Sequence, residues 1–119
     1  LAMASLKASL AIFDEAGMPA LRKKSEALTA YLYQLLQTEC GIGSKNSTLN
    51  IITPTDKKQR GCQLSLQTKQ NGKQLFDKLT AAGIIADWRE PDVIRIAPVP
   101  LYNSFEDVYR FVQVVKSQL

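Results

Sequence analysis

An arginine stands in the middle of the apolar run Val93-Ile94-Arg95-Ile96-Ala97, and its position restricts the architectures open to the chain. β-Branched residues dominate the run and turn residues bound it, so it predicts a strand. Side chains alternate along a strand, which puts Val93, Arg95 and Ala97 on one face and Ile94 and Ile96 on the other. A guanidinium does not shed its proton inside a protein, and burying it without an anion or water is very costly. Any sheet that contains this strand must therefore give the guanidinium an anion or water. On residue chemistry alone, Arg95 is expected to pair with Asp87, Glu90 or Asp92, with a bound anion as the alternative.

The other elements follow from periodicity. Residues 1–16 predict an amphipathic helix with Met3, Leu6, Leu10 and Phe13 on one face and Gly17 as its stop. No capping residue precedes Leu1, as if the pattern continued upstream. Pro19 suits the first turn of a second helix, because its missing N–H would have no partner there. Leu21, Leu28, Leu32 and Leu35 mark that helix's buried face, with Tyr31 and Leu36 widening it, and Gly41 and Gly43 mark its end. Arg22, Lys23 and Lys24 in its first turn read as a solvated face. A strand over residues 48–53 and a second one carrying Cys62, Leu64 and Leu66 on its inner side predict an antiparallel hairpin, with residues 55–61 as the connecting turn.

Asn71 is the expected N-cap of a third helix that buries Leu75, Phe76 and Leu79 and ends at Gly83. Residues 84–88 predict a third strand, residues 89–92 a turn, and residues 93–97 the fourth strand. After Pro98-Val99-Pro100, Asn103 or Ser104 caps a last helix, with Glu106 or Asp107 supplying part of a capping box. Phe105, Val108, Val112 and Val115 form its core stripe, and Lys116 complements the dipole of its last turn. The order α-α-β-β-α-β-β-α predicts an α+β fold: a largely antiparallel four-stranded sheet covered by helices, in one domain over residues 1–119.

The 119 residues, 45% apolar and 22% charged with a net charge of +4, are ordinary for a globular domain. No stretch reaches the roughly 18 apolar residues of a membrane span, so no membrane partner is expected. There is no histidine, so Ser-His-Asp and Cys-His arrangements cannot be built from these residues. Cys40 and Cys62 lack metal-ligand spacing and are expected to be free thiols; no metal is expected. The two glycines of residues 41–44 follow a helix rather than open one after a strand, so they read as a helix stop and not as a phosphate loop. Lys57, Lys58, Arg60, Lys69 and Lys73 lack interleaved aromatics, and no nucleic-acid partner is expected.

One stretch is specific. Asp87-Trp88-Arg89-Glu90-Pro91-Asp92-Val93-Ile94-Arg95, followed by Ala97-Pro98-Val99-Pro100-Leu101-Tyr102-Asn103-Ser104-Phe105-Glu106-Asp107-Val108-Tyr109, resembles the C-terminal signature of the kynureninase family. The segments Leu6-Lys7-Ala8-Ser9-Leu10 and Phe13-Asp14-Glu15-Ala16-Gly17 are also similar to the part of that family where the chain leaves the large domain. The resemblance runs from Leu6 to about Phe111 and is weak over residues 44–70.

It implies the small C-terminal domain of a fold-type I pyridoxal-phosphate enzyme, whose large cofactor-binding domain lies outside this chain. The full enzyme is then expected to cleave L-kynurenine or its 3-hydroxy form hydrolytically to anthranilate or 3-hydroxyanthranilate and L-alanine, in tryptophan catabolism or NAD-precursor supply, as a cytoplasmic homodimer. Arg95 is implied to bind the α-carboxylate of this kynurenine-type substrate. No catalytic, cofactor-binding or metal-binding residue is expected within the chain itself, which alone should be inactive and hold no pyridoxal phosphate. Arg89 reads as a structural turn residue, and Pro98, Pro100, Tyr102 and Asn103 read as a rigid linker and helix cap, with the edge of the substrate pocket as their alternative role. The competing readings are the small domain of another fold-type I pyridoxal-phosphate enzyme and a stand-alone, non-catalytic ligand-binding module.

Overall fold

The computed structural model describes residues 1–119. The elements are α1 (Ala2–Ala16), α2 (Met18–Cys40), β1 (Leu49–Ile51), a 3₁₀ turn (Lys57–Gln59), β2 (Leu64–Thr68), α3 (Gly72–Ala81), β3 (Asp87–Arg89), β4 (Val93–Ile96) and α4 (Phe105–Gln118). The α+β class and the element order are those expected from the sequence.

The four strands form one sheet in the order β1-β2-β4-β3, with every neighbouring pair antiparallel. Two hairpins, β1–β2 and β3–β4, are joined through β2 and β4. The register aligns Ile51, Leu66, Ile94 and Trp88 across the sheet, and aligns Ser65, Arg95 and Asp87 in the row beside it. Leu66 and Ile94 are buried, so the first row faces the core. The second row lies on the opposite face.

Helices cover the core face only. Leu28, Leu32 and Leu36 from α2 and Val108, Val112 and Val115 from α4 pack with Leu64, Leu66, Ile94 and Ile96 from the sheet, and Leu79 of α3 closes one end. Burying each of these side chains contributes roughly 1.5–3 kcal/mol before entropy is charged against it. Lys116 Nζ donates to Glu39 Oε2 at 2.8 Å, tying α4 to the end of α2. The Gly41 backbone is left-handed (φ 64°), and the Ile42 N–H returns to Leu36 O at 3.2 Å; glycine takes this conformation without a Cβ penalty.

Several local expectations are corrected. The Met3, Leu6 and Leu10 face of α1 is not buried: these side chains are 77%, 51% and 53% exposed, because no other element of the chain lies over them. On α2 Leu36, expected at the edge of the buried face, is fully buried and Leu35 only partly, since Leu36 continues the stripe of Leu28 and Leu32 at a spacing of four. Phe105 is half exposed rather than a core residue and packs edge-on against Tyr31, with 5.6 Å between ring centroids. Cys62 lies just before β2 and is only half-buried. Asn71 occupies the N-cap of α3 through its left-handed backbone (φ 53°) and makes no side-chain cap.

The third strand is shorter and later than residues 84–88. Ile84 N–H donates back to Leu79 O at 3.0 Å, which spends it on the end of α3, and Ile85 is fully exposed. Pairing begins only at Asp87, opposite Arg95. Arg89 accordingly belongs to β3 rather than to the turn. Ser104 caps α4 in a complete capping box: its hydroxyl accepts from Asp107 N–H at 3.1 Å, and Asp107 Oδ2 accepts from Ser104 N–H at 2.9 Å.

Candidate functional site

Arg95 is placed by two alternations. Ile94 and Ile96 are buried, which forces the side chain between them to the uncovered face of the sheet. Its flanking neighbours on that face, Val93 and Ala97, offer no charge. Ser65 stands opposite on β2 and Asp87 opposite on β3. The Arg95 side chain keeps 34% of its exposure, so the guanidinium is reachable from solvent.

Of the three acids expected as partners, Asp87 is the one that binds Arg95. Arg95 Nε donates to Asp87 Oδ2 at 2.6 Å, and Nη2 of the same guanidinium also reaches Oδ2. Arg89 Nε donates to that oxygen too, at 2.9 Å. The other two acids are engaged elsewhere: Glu90 Oε1 accepts from Trp88 Nε1 at 3.0 Å, and Asp92 Oδ2 accepts from Gln67 Nε2 at 3.0 Å. Hydrogen bonding from Arg95 is the main cause that holds the Asp87 carboxyl below its ordinary range; desolvation opposes it, and the charges of Arg89 and Arg95 add to the lowering.

One carboxylate therefore faces two guanidiniums. Arg95 Nη1 donates to no atom of the chain. The chemistry on offer is recognition of an anion, and the planar fork of a guanidinium suits a carboxylate in particular.

The remaining sequence candidates are dispersed. Asn103 Oδ1 accepts from Val99 N–H at 2.8 Å, closing the loop that follows β4; Tyr102 is exposed. Arg22 is more than a solvated residue. Its Nη2 donates to Lys57 O at 2.6 Å and Arg60 O at 3.2 Å, pinning the 3₁₀ turn to α2. Sequence reasoning missed this because the two carbonyls lie 35 and 38 residues away. Of the basic cluster, Lys57 pairs with Glu26, Arg60 lies over the Tyr33 ring at 5.4 Å, and Lys73 pairs with Asp77 at 2.8 Å. A cleft of about 250 Å³ beside Thr48, Gln70, Asn71, Gln74, Lys78 and Gln118 contains none of these candidates. It brings together no acid, base or nucleophile pair, and the chemistry lies with the charged row on the sheet.

Comparison with known proteins agrees with the resemblance. Residues 21–115 match the family model of the kynureninase C-terminal domain. The chain is 53% identical over 120 aligned positions to the kynureninases of Xanthomonas euvesicatoria pv. vesicatoria (strain 85-10) and Xanthomonas campestris pv. campestris (strain B100), and 52% identical to that of Xanthomonas oryzae pv. oryzae (strain PXO99A). In each case the alignment takes in 98% of this chain but only 27% of the relative, so the chain spans about a quarter of the length of the curated relatives it matches.

Proposed function

The chain belongs to the kynureninase C-terminal domain family, and from that premise we propose that Arg95 binds the α-carboxylate of a kynurenine-type amino acid. The observation that carries the reading is a solvent-reachable guanidinium, mounted on a strand, whose Nη1 is unspent within the chain. A strand flanked by buried Ile94 and Ile96 is a stiffer mount than a loop. Two parallel N–H···O bonds to a carboxylate would fix the orientation of the substrate as well as its charge.

The full-length enzyme is proposed to hydrolyse L-kynurenine or 3-hydroxykynurenine to anthranilate or 3-hydroxyanthranilate and L-alanine, acting as a cytoplasmic homodimer. Pyridoxal phosphate, when bound, supplies the electron sink that carbon–carbon cleavage requires. We assign no anchor for it to this chain, whose strands β1 to β4 carry no lysine. The anchoring and phosphate-binding groups are assigned to the part of the enzyme outside this domain. The role left to this domain is to bind and orient the carboxylate and, by closing over the site, to keep water out.

The test is steady-state kinetics of a full-length kynureninase carrying this domain, wild type against Arg95→Gln. Loss of a charge-assisted pair is expected to cost about 3–5 kcal/mol in kcat/KM, with fold and cofactor content unchanged. A change below about 1 kcal/mol would leave Arg95 with its intramolecular pair alone and end the proposal. The isolated 119-residue chain is expected to form no anthranilate and to bind no pyridoxal phosphate; absorbance of the cofactor and fluorescence of the product check both.

A further inference from the structure

The ion pair and the substrate clamp need not compete for Arg95. We infer that Asp87 is a positioning residue for the carboxylate clamp, holding the Arg95 guanidinium by its Nε–Nη2 side so that Nη1 stays open to an incoming carboxylate. This rests on the assignment of Arg95 to the substrate carboxylate made above.

Three features of the β3–β4 hairpin carry the inference. The first is register: antiparallel pairing puts Asp87 directly opposite Arg95, so the acid is delivered by the backbone and not by a flexible loop. The second is the contact pattern. Arg95 Nε and Nη2 converge on the single oxygen Oδ2, which leaves Nη1 without a partner in the chain. A carboxylate that met both terminal nitrogens would have occupied the end of the fork and blocked it. The third is that Asp87 is itself braced, because Arg89 Nε donates to the same Oδ2 at 2.9 Å.

The competing acids are out of reach. Glu90 accepts from the Trp88 indole N–H and Asp92 from the Gln67 amide, and neither makes an ion pair with Arg95. A long arginine side chain loses much rotamer freedom when it is fixed on a ligand. Asp87 removes part of that freedom in advance, which lowers the cost of binding without contacting the substrate. A half-exposed pair of this kind adds little to folding, so its removal should leave the domain folded.

The experiment is a double-mutant cycle in a full-length kynureninase carrying this domain: wild type, Asp87→Ala, Arg95→Gln and the double variant, with kynurenine as substrate. Asp87→Ala is expected to raise KM about tenfold with kcat within about twofold, within the coupling usual for residues in direct contact. In the Arg95→Gln background the same change should shift KM by less than about twofold, because there is no guanidinium left to position. Asp87→Asn, which keeps an acceptor oxygen at the same place, should restore part of the loss.

A second readout uses the 119-residue chain itself. The Arg95 Nε–H should exchange slowly with solvent in nitrogen-15 NMR spectra and become fast in Asp87→Ala. Equal KM effects of Asp87→Ala in both backgrounds would overturn the inference, since Asp87 would then act through the fold. So would an unchanged KM beside a large Arg95→Gln loss, or an Nε–H exchange rate indifferent to Asp87. A silent Arg95→Gln would instead remove the carboxylate assignment first, and the role of Asp87 with it.

Discussion

Gly72 lies so close to Thr68 that a Cβ at position 72 would come within 2.0 Å of Thr68 Oγ1 and 2.9 Å of Thr68 Cβ, with Trp88 Cη2 at 3.0 Å. Thr68 cannot step aside. Its N–H and its hydroxyl both donate to Asp92 O, at 2.8 and 3.0 Å, which locks the end of β2 to the turn that leads into β4. The start of α3 therefore seats directly on the sheet through a residue without a side chain. Gly72→Ala is expected to lower stability by about 3 kcal/mol through overpacking, measurable by urea unfolding of the 119-residue chain. An unchanged midpoint would mean that α3 can lift off the sheet freely.

Ile94 and Ile85 sit nine positions apart and have opposite surroundings, 0% and 100% exposed. Ile94→Ala removes side-chain atoms from the centre of the core and should cost about 3–4 kcal/mol. Ile85→Ala should stay within about 0.5 kcal/mol. Thermal unfolding of the two variants side by side checks the pair, and equal shifts would contradict the packing described.

Ser104→Ala removes the hydroxyl that accepts from Asp107 N–H and should destabilise α4 by about 1 kcal/mol. Hydrogen bonding from Ser104 N–H is the main cause of the lowered Asp107 pKa, with the Asn103 amide second. A shift confined to the first turn of α4 in amide exchange is the expected signature of Ser104→Ala; an effect spread over the whole domain would point to a different cause.

The Asp87 carboxyl is held below its ordinary value in the folded chain, chiefly by hydrogen bonding from Arg95. A depressed folded pKa means that the native state binds fewer protons than the unfolded one as pH falls. The stabilisation is therefore fully present above the unfolded value of 3.8 and is lost as pH drops through the folded value. Carbon-13 titration of the side chain should show Asp87 ionising below the usual carboxylate range, and Arg95→Gln should move its midpoint upward. A midpoint indifferent to Arg95 would break the link between them.

The opposite sign applies to Lys116, whose pKa is raised, first by its hydrogen bond to Glu39 and then by that residue's charge. Its contribution is complete below the unfolded value of 10.5 and is lost as pH rises through the folded value. Lys116→Met should narrow its stability gap from wild type at alkaline pH. A gap that does not narrow would show that packing, not charge, accounts for it.

Local chemistry determined much of this protein. Alternation put Ile94 and Ile96 on one face of the strand and Arg95 on the other, because successive side chains point to opposite faces whatever surrounds them. Helix periodicity, Pro19, Gly17 and Gly41 located α1 and α2, and the run from Asp87 to Tyr109 carried the family. What tertiary structure decided were relations between distant residues. Residue spacing allowed three acids for Arg95; the strand register selected Asp87 and sent Glu90 and Asp92 to other donors. Arg22 found its partners 35 and 38 residues along the chain. The start of β3 depended on Ile84 being used by α3. The apolar stripe of α1 makes the same point from the other side. A period of 3.6 shows that a face is apolar, but only the surrounding fold determines whether anything lies against it, and within these 119 residues nothing does.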